Sequence, residues 1–155
     1  MWDIGSIFLI PLKDGSSCPG QVVGRERDVL NSATVAIFDS RGAWEASGTM
    51  PALNEEDIFS KLFVSKHSLD SGHWKVIGKG DVVIEKSQFP NESARMSGFV
   101  GAKVNGSDIV DEFVNAYYGL VAWDDWYVPD FLDDLLVSPE KKPVHRLTYS
   151  GRHPR

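Results

Sequence analysis

The densest run of chemically capable side chains is His67-Ser68-Leu69-Asp70-Ser71-Gly72-His73. Serine, histidine and aspartate are the parts of a hydrolase triad, in which a base activates a hydroxyl and an acid orients the base. Two histidines are also half of a zinc site. Zinc needs three or four ligands, however, and the remaining histidines, His145 and His153, stand far away in a basic tail. No glycine-flanked nucleophile elbow surrounds the serines. The run reads as a polar turn between strands, and a small β-rich hydrolase using His67, Asp70 and His73 is the alternative. Gly78-Lys79-Gly80 fails as a phosphate loop. His73 stands where the upstream glycine belongs, and Gly80 replaces the Ser or Thr that would hold magnesium. Cys18 has no histidine near it in sequence and reads as a small hairpin residue.

Carboxylates form the second constellation. Asp124, Asp125, Asp130, Asp133 and Asp134 interleave with Trp123, Trp126 and Tyr127, and Glu55, Glu56 and Asp57 cluster at one predicted helix start. One reading is a solvated helix face with aromatic rings packed beneath it. The other is a protein interface, where aromatic anchors supply burial and acids oppose a basic partner. Paired-carboxylate glycosidase chemistry needs a set separation between two acids, and nothing in the spacing fixes one.

Composition narrows the choice. The chain has 155 residues, 42% of them hydrophobic and 25% charged, with a formal net charge of −6. One domain of this length buries about 68–70% of its unfolded surface, so no disulfide or metal is needed to staple it. An acidic balance argues against nucleic acid or an anionic membrane as partner, since both require a basic face. With a single cysteine, neither an internal disulfide nor a cysteine-based zinc cluster can form. Asp3 stands where a basic n-region would, and the run Ile7–Ile10 stops at Pro11, so no export signal is read and a cytoplasmic protein is expected.

Several elements must position these groups. Ile4–Leu12 reads as a strand, Asp14-Gly15 as a hairpin turn, and Gln21–Arg25 and Ala33–Asp39 as the following strands. Asn54 is a candidate N-cap for a short helix through Ile58, Phe59 and Leu62, leading into a strand at Leu62–Ser65. Trp74–Gly78, Val82–Ile84 and Gly98–Val104 are further candidate strands. Ser107 is predicted to cap a helix carrying Ile109, Val110, Phe113, Val114 and Tyr117 on one face, with Gly119 ending it. Leu120–Trp123 then reads as a buried strand, Pro129–Leu136 as a second helix, and Val144–Tyr149 as an edge strand. The fold class is α+β, with a mainly antiparallel sheet or partly closed barrel and two or three short helices. Residues 1–150 read as one domain and 151–155 as a loose basic tail.

Three collinear motifs span most of the chain. The first is Gly5-Ser6-Ile7-Phe8-Leu9-Ile10-Pro11-Leu12-Lys13-Asp14-Gly15 with Gly20-Gln21-Val22-Val23. The second joins Leu62–Ser68 to Ser71-Gly72-His73-Trp74-Lys75-Val76-Ile77-Gly78, and the third is Ala122-Trp123-Asp124 ahead of Pro129–Leu136. Together the three resemble the Immunity protein 26 family of bacterial toxin-immunity proteins, from whose pattern Gln88–Val114 and the tail beyond Lys142 depart. The resemblance implies a non-enzymatic protein that binds and neutralises a cognate toxin, needing neither cofactor nor metal. It further implies a toxin delivered by contact-dependent inhibition or a related system, such as a nuclease with a basic cleft. With the acidic composition, it makes Trp123, Asp124, Asp125, Trp126, Tyr127, Asp130, Asp133 and Asp134, with Glu55 and Glu56, the expected toxin-binding residues. A peptide or small-ligand binding module, with a groove lined by tryptophans, is the remaining alternative.

Overall fold

Local signals dominate the first half of the chain, where four strands pair in sequence order. The computed structural model describes residues 2–26, 32–83, 104–126, 128–144 and 146–148. Strands β1 (Ser6–Pro11) and β2 (Ser17–Glu26) are joined by a tight turn in which Gly15 takes a φ of +88° and Leu12 N–H donates to Ser16 O at 2.9 Å. That left-handed backbone strains any residue with a Cβ, hence the glycine after Asp14. Strands β3 (Ser32–Phe38) and β4 (Ile58–Val64) continue the meander, and β5 (Lys75–Lys79) returns to the far side of β1. A two-residue strand β6 (Val104–Asn105) adds to β4 in parallel, giving the order β5-β1-β2-β3-β4-β6. The sheet is open, so of the two expected forms the barrel is not the one adopted.

The α-helices among the described residues are α1 (Trp44–Ser47), α2 (His67–Ser71) and α3 (Ser107–Tyr117), and two layers cover the sheet. Phe8, Ile10, Val22, Val35, Ile37 and Leu62 face helix α3 (Ser107–Tyr117), which buries Val110, Phe113, Val114 and Ala116 against them. The Phe8 ring lies over Gly20, where a Cβ would stand 2.5 Å from Phe8 Cζ, and stacks on Trp74 at 5.2 Å. A register shift against β4 makes Phe59 the extra residue of a bulge and turns it into this layer, where it stacks on Tyr117 at 3.8 Å. Each such ring removes roughly 150–250 Å² from water, worth about 4–6 kcal/mol at about 25 cal/mol per Å². On the opposite face Val23, Ala36, Phe38 and Ile58 meet Leu53, Val83 and Val137. There the buried Gln21 amide donates to Asp81 O at 2.9 Å and accepts from Val83 N–H at 3.2 Å, fixing the chain after β5.

Several expectations need correcting. Glu55–Asp57 forms only a single 3-10 turn, and Ile58–Leu62 is strand, because pairing with β3 outweighs the helical start signal. Asn54 makes no side-chain cap. Ser107 is the first residue of α3 rather than its cap: its N–H donates to Ser65 Oγ at 3.0 Å, beyond the end of β4. Asn115, buried in the helix, accepts from Lys13 N–H at 2.8 Å and so ties α3 to the β1–β2 turn. Leu120–Trp123 is irregular chain, half-buried at Leu120 and Val121 and buried at Ala122 and Trp123, and Phe131–Leu135 is a 3-10 helix rather than a full α-helix. The described residues of Val144–Tyr149 form no strand, and Ile84 and Gly98–Lys103 lie outside the described residues.

Candidate functional site

Buried anchors hold the acidic C-terminal segment along β4. Ser60 Oγ donates to Leu135 O at 2.6 Å, Val137 N–H donates to Phe59 O at 2.9 Å, and Leu132 and Leu135 are buried. Trp123 is only 1% exposed, tilted against Phe113 at 5.9 Å. Its indole N–H donates to Asp133 Oδ1 at 2.7 Å, and Lys142 Nζ donates to Asp133 Oδ2 at 2.9 Å. Trp123 and Asp133 therefore stand in the framework of the segment, not on its outer face. Burial acts to raise the Asp133 carboxyl's pKa. The hydrogen bonds from Lys142 and Trp123 and the charges of Lys142 and Arg146 outweigh it, leaving the pKa below the usual carboxylate value.

The remaining predicted residues divide. Asp125, Asp130, Asp134, Glu55 and Glu56 are exposed. Among the described residues, no cation stands within ion-pair distance of any of the five. Lys141 bonds the backbone oxygen of Glu56 at 2.9 Å, which brings the Glu55–Asp57 turn beside the end of the acidic segment. Trp126 is half-buried, tilted against Phe131 at 4.9 Å, and Asp124 is half-buried. Tyr127 lies outside the described residues. The described aromatic residues, Trp123 and Trp126, are thus packing, while the flanking acids form a solvated, negatively charged rim.

The histidine-serine run folds as the short helix α2 (His67–Ser71), not as a turn between strands, and its members face different ways. Ser68 is buried and donates to Ser107 Oγ at 2.8 Å, while Asp70 Oδ1 accepts from the Trp2 indole at 2.7 Å. His73 Nε2 meets Asp111 Oδ2 at 2.9 Å, and the other oxygen of Asp111 accepts from the Trp74 indole at 2.7 Å. Ser71 Oγ accepts from the His73 backbone N–H at 3.3 Å, and among the described residues no serine hydroxyl is bonded to a histidine ring, so the triad geometry is not assembled. Beside α2 a groove of about 390 Å³ is lined by Trp2, Leu69, Asp70, Trp74 and Val76, but both indole N–H groups already have acceptors within the chain.

One cluster escaped sequence reading. At the end of β3, Asp39 accepts from the Tyr118 hydroxyl at 2.9 Å and the Tyr117 hydroxyl at 3.3 Å. Behind them the buried Cys18 thiol donates to Phe38 O at 3.1 Å. Burial pushes its pKa up to about 12, so it stays a protonated, unreactive thiol. Burial, then the neighbouring Cys18 and Asp39, also raises the pKa of Tyr118, and burial with Asp39 does so for Tyr117. Both tyrosines therefore remain neutral donors to the carboxylate. Asp39, Tyr117, Tyr118, Gly119, Pro143 and Val144 line an open cup of about 330 Å³. Its parts come from residues 18, 39 and 117–119, a long-range assembly that sequence spacing does not reveal.

A family model described as Immunity protein 26 matches residues 3–97, more than half of the chain. The match contains the first two motifs, reaches into residues 88–97 where no family pattern was expected, and ends before Ala122-Trp123-Asp124. No curated protein matches the chain, and no solved structure does.

Proposed function

Because the chain belongs to the Immunity protein 26 family and is thereby an immunity protein, we propose that it acts in the cytoplasm as a non-enzymatic inhibitor whose acidic rim binds a basic face of its cognate toxin. The toxin in this reading is a nuclease delivered by contact-dependent inhibition or a related system. Its substrate cleft is positive for the same reason that nucleic-acid binders are. The observation that carries the reading is the group of exposed carboxylates at Asp125, Asp130, Asp134, Glu55 and Glu56, with no described cation in ion-pair distance. Such acids raise encounter rates with a basic partner and lose that effect as salt screens them.

Asp133 supports the rim instead of contacting the partner, so the test spares it. Asp130→Lys with Asp134→Lys reverses two rim charges without touching the Trp123–Asp133–Lys142 contacts. Association with the toxin encoded beside this chain, measured by stopped flow at low salt, should slow by about tenfold, within the range steering supplies. An unchanged rate constant would remove the rim from the interface.

A further inference from the structure

The cup at the end of β3 has a chemistry the rim lacks. Both oxygens of Asp39 are oriented by tyrosine hydroxyls at 2.9 and 3.3 Å, which leaves one or more lone pairs on each for a further donor. The two rings meet edge-to-face at 5.1 Å, and Tyr117 is backed by Phe59 at 3.8 Å, so the walls are rigid and aromatic. The nearest cation in sequence, Arg41, stands beside the cup without an ion pair to Asp39. It pairs with Asp14 at 3.4 Å and lies over the Tyr118 ring at 4.8 Å. That contact shows that the ring takes a guanidinium on its face. No described residue forms an ion pair with Asp39. Asp39 N–H donates to Asp57 O at 2.7 Å, which makes the cup continuous with Glu55 and Glu56 of the acidic rim.

We propose that the Asp39–Tyr117–Tyr118 cup receives one arginine side chain of the toxin. A fixed carboxylate with free lone pairs on both oxygens matches the planar fork of a guanidinium better than the point charge of an ammonium. The open cup of about 330 Å³ has room for one long side chain. The cup supplies specificity, because it must be filled by one residue in one register, whereas the rim supplies attraction at a distance. This assignment rests on the chain being a toxin binder through its acidic surface.

The test uses a probe that does not depend on the toxin. N-acetyl-L-arginine methylamide is titrated into the full-length protein and followed by ¹H–¹⁵N chemical shifts, with the uncharged isostere N-acetyl-L-citrulline methylamide as control. The expected result is saturable, millimolar binding of the arginine probe with shifts centred on Asp39, Tyr117, Tyr118 and Gly119. The citrulline probe should bind at least fivefold more weakly. Asp39→Asn, which keeps shape and removes charge, should abolish the difference between the probes, and Tyr118→Phe should reduce it. Equal binding of both probes, or shifts spread over Glu55, Asp130 and Asp134 without a maximum at the cup, would overturn the assignment. With the toxin, Asp39→Asn should raise Kd by tenfold or more, mainly through faster dissociation. Wild-type-like toxin affinity in Asp39→Asn refutes the cup while leaving the inhibitor reading intact. Arginine-probe binding without any toxin complex would do the opposite.

Discussion

Replacing Asp133 should cost stability before it costs binding, and the size of the loss follows from its two contacts. Asp133→Ala leaves the Trp123 indole N–H, in a side chain 1% exposed, without its acceptor. An orphaned buried donor costs about 1–3 kcal/mol. The lost pair with Lys142 adds little, because the two side chains are 34% and 30% exposed and screened accordingly, so about 0–1 kcal/mol. The total of about 2 kcal/mol lowers the melting temperature by about 4–8 °C in a domain of this size. Asp133→Asn separates the two effects: its amide oxygen keeps the indole bond, and only about 0.5 kcal/mol is lost. The pH dependence has a definite sign. A carboxylate with a depressed native pKa stabilises the fold fully above its unfolded value of about 3.9 and loses that contribution as pH falls through the native value. In urea titrations the gap between wild type and Asp133→Asn should therefore be present at pH 7 and close below about pH 4. The gap to Asp133→Ala should persist in part, since a protonated acid still accepts from the indole. An Asp133→Ala protein as stable as wild type at pH 7 would refute this account.

Other sites give sharper local expectations. Gln21→Leu strips the partners of Asp81 O and Val83 N–H; it should destabilise by about 1–3 kcal/mol in urea and speed amide exchange at Val83. Gly20→Ala drives a methyl against the Phe8 ring and should cost about 1–3 kcal/mol by forcing Phe8 and Trp74 to shift, visible in near-ultraviolet circular dichroism. Cys18, buried with its pKa raised to about 12, should resist iodoacetamide at pH 8 in the native protein and react fully in denaturant.

The meander was readable in the sequence because its signals are local. Asp14-Gly15 prescribes the turn, and the apolar runs of β1 and β3 prescribe strands buried on one or both faces. Where a short apolar run follows a helix start signal, as at Asn54–Leu62, periodicity does not separate helix from strand, and the pairing with β3 decided it. Leu120–Trp123 looked like a strand because its apolar residues pack in or against the core whatever their backbone does. The acidic rim was legible as charge, but the roles within it were not. Asp133 and Asp130 are indistinguishable in sequence, and only the positions of Trp123 and Lys142 make one a support and the other a free surface acid. The Asp39 cup was invisible because Cys18, Asp39 and Tyr118 meet only once the sheet and helix have packed.

The central claim is that this family member neutralises its toxin through a complex drawn together by the acidic rim. Its most direct test is the association rate constant of the chain with the toxin encoded beside it, measured from low to high salt for wild type and for Asp130→Lys with Asp134→Lys. The account predicts a fast wild-type rate that falls steeply with salt, and a slower, flatter rate for the charge-reversed protein. No complex with that toxin, or identical salt profiles for the two proteins, would contradict it.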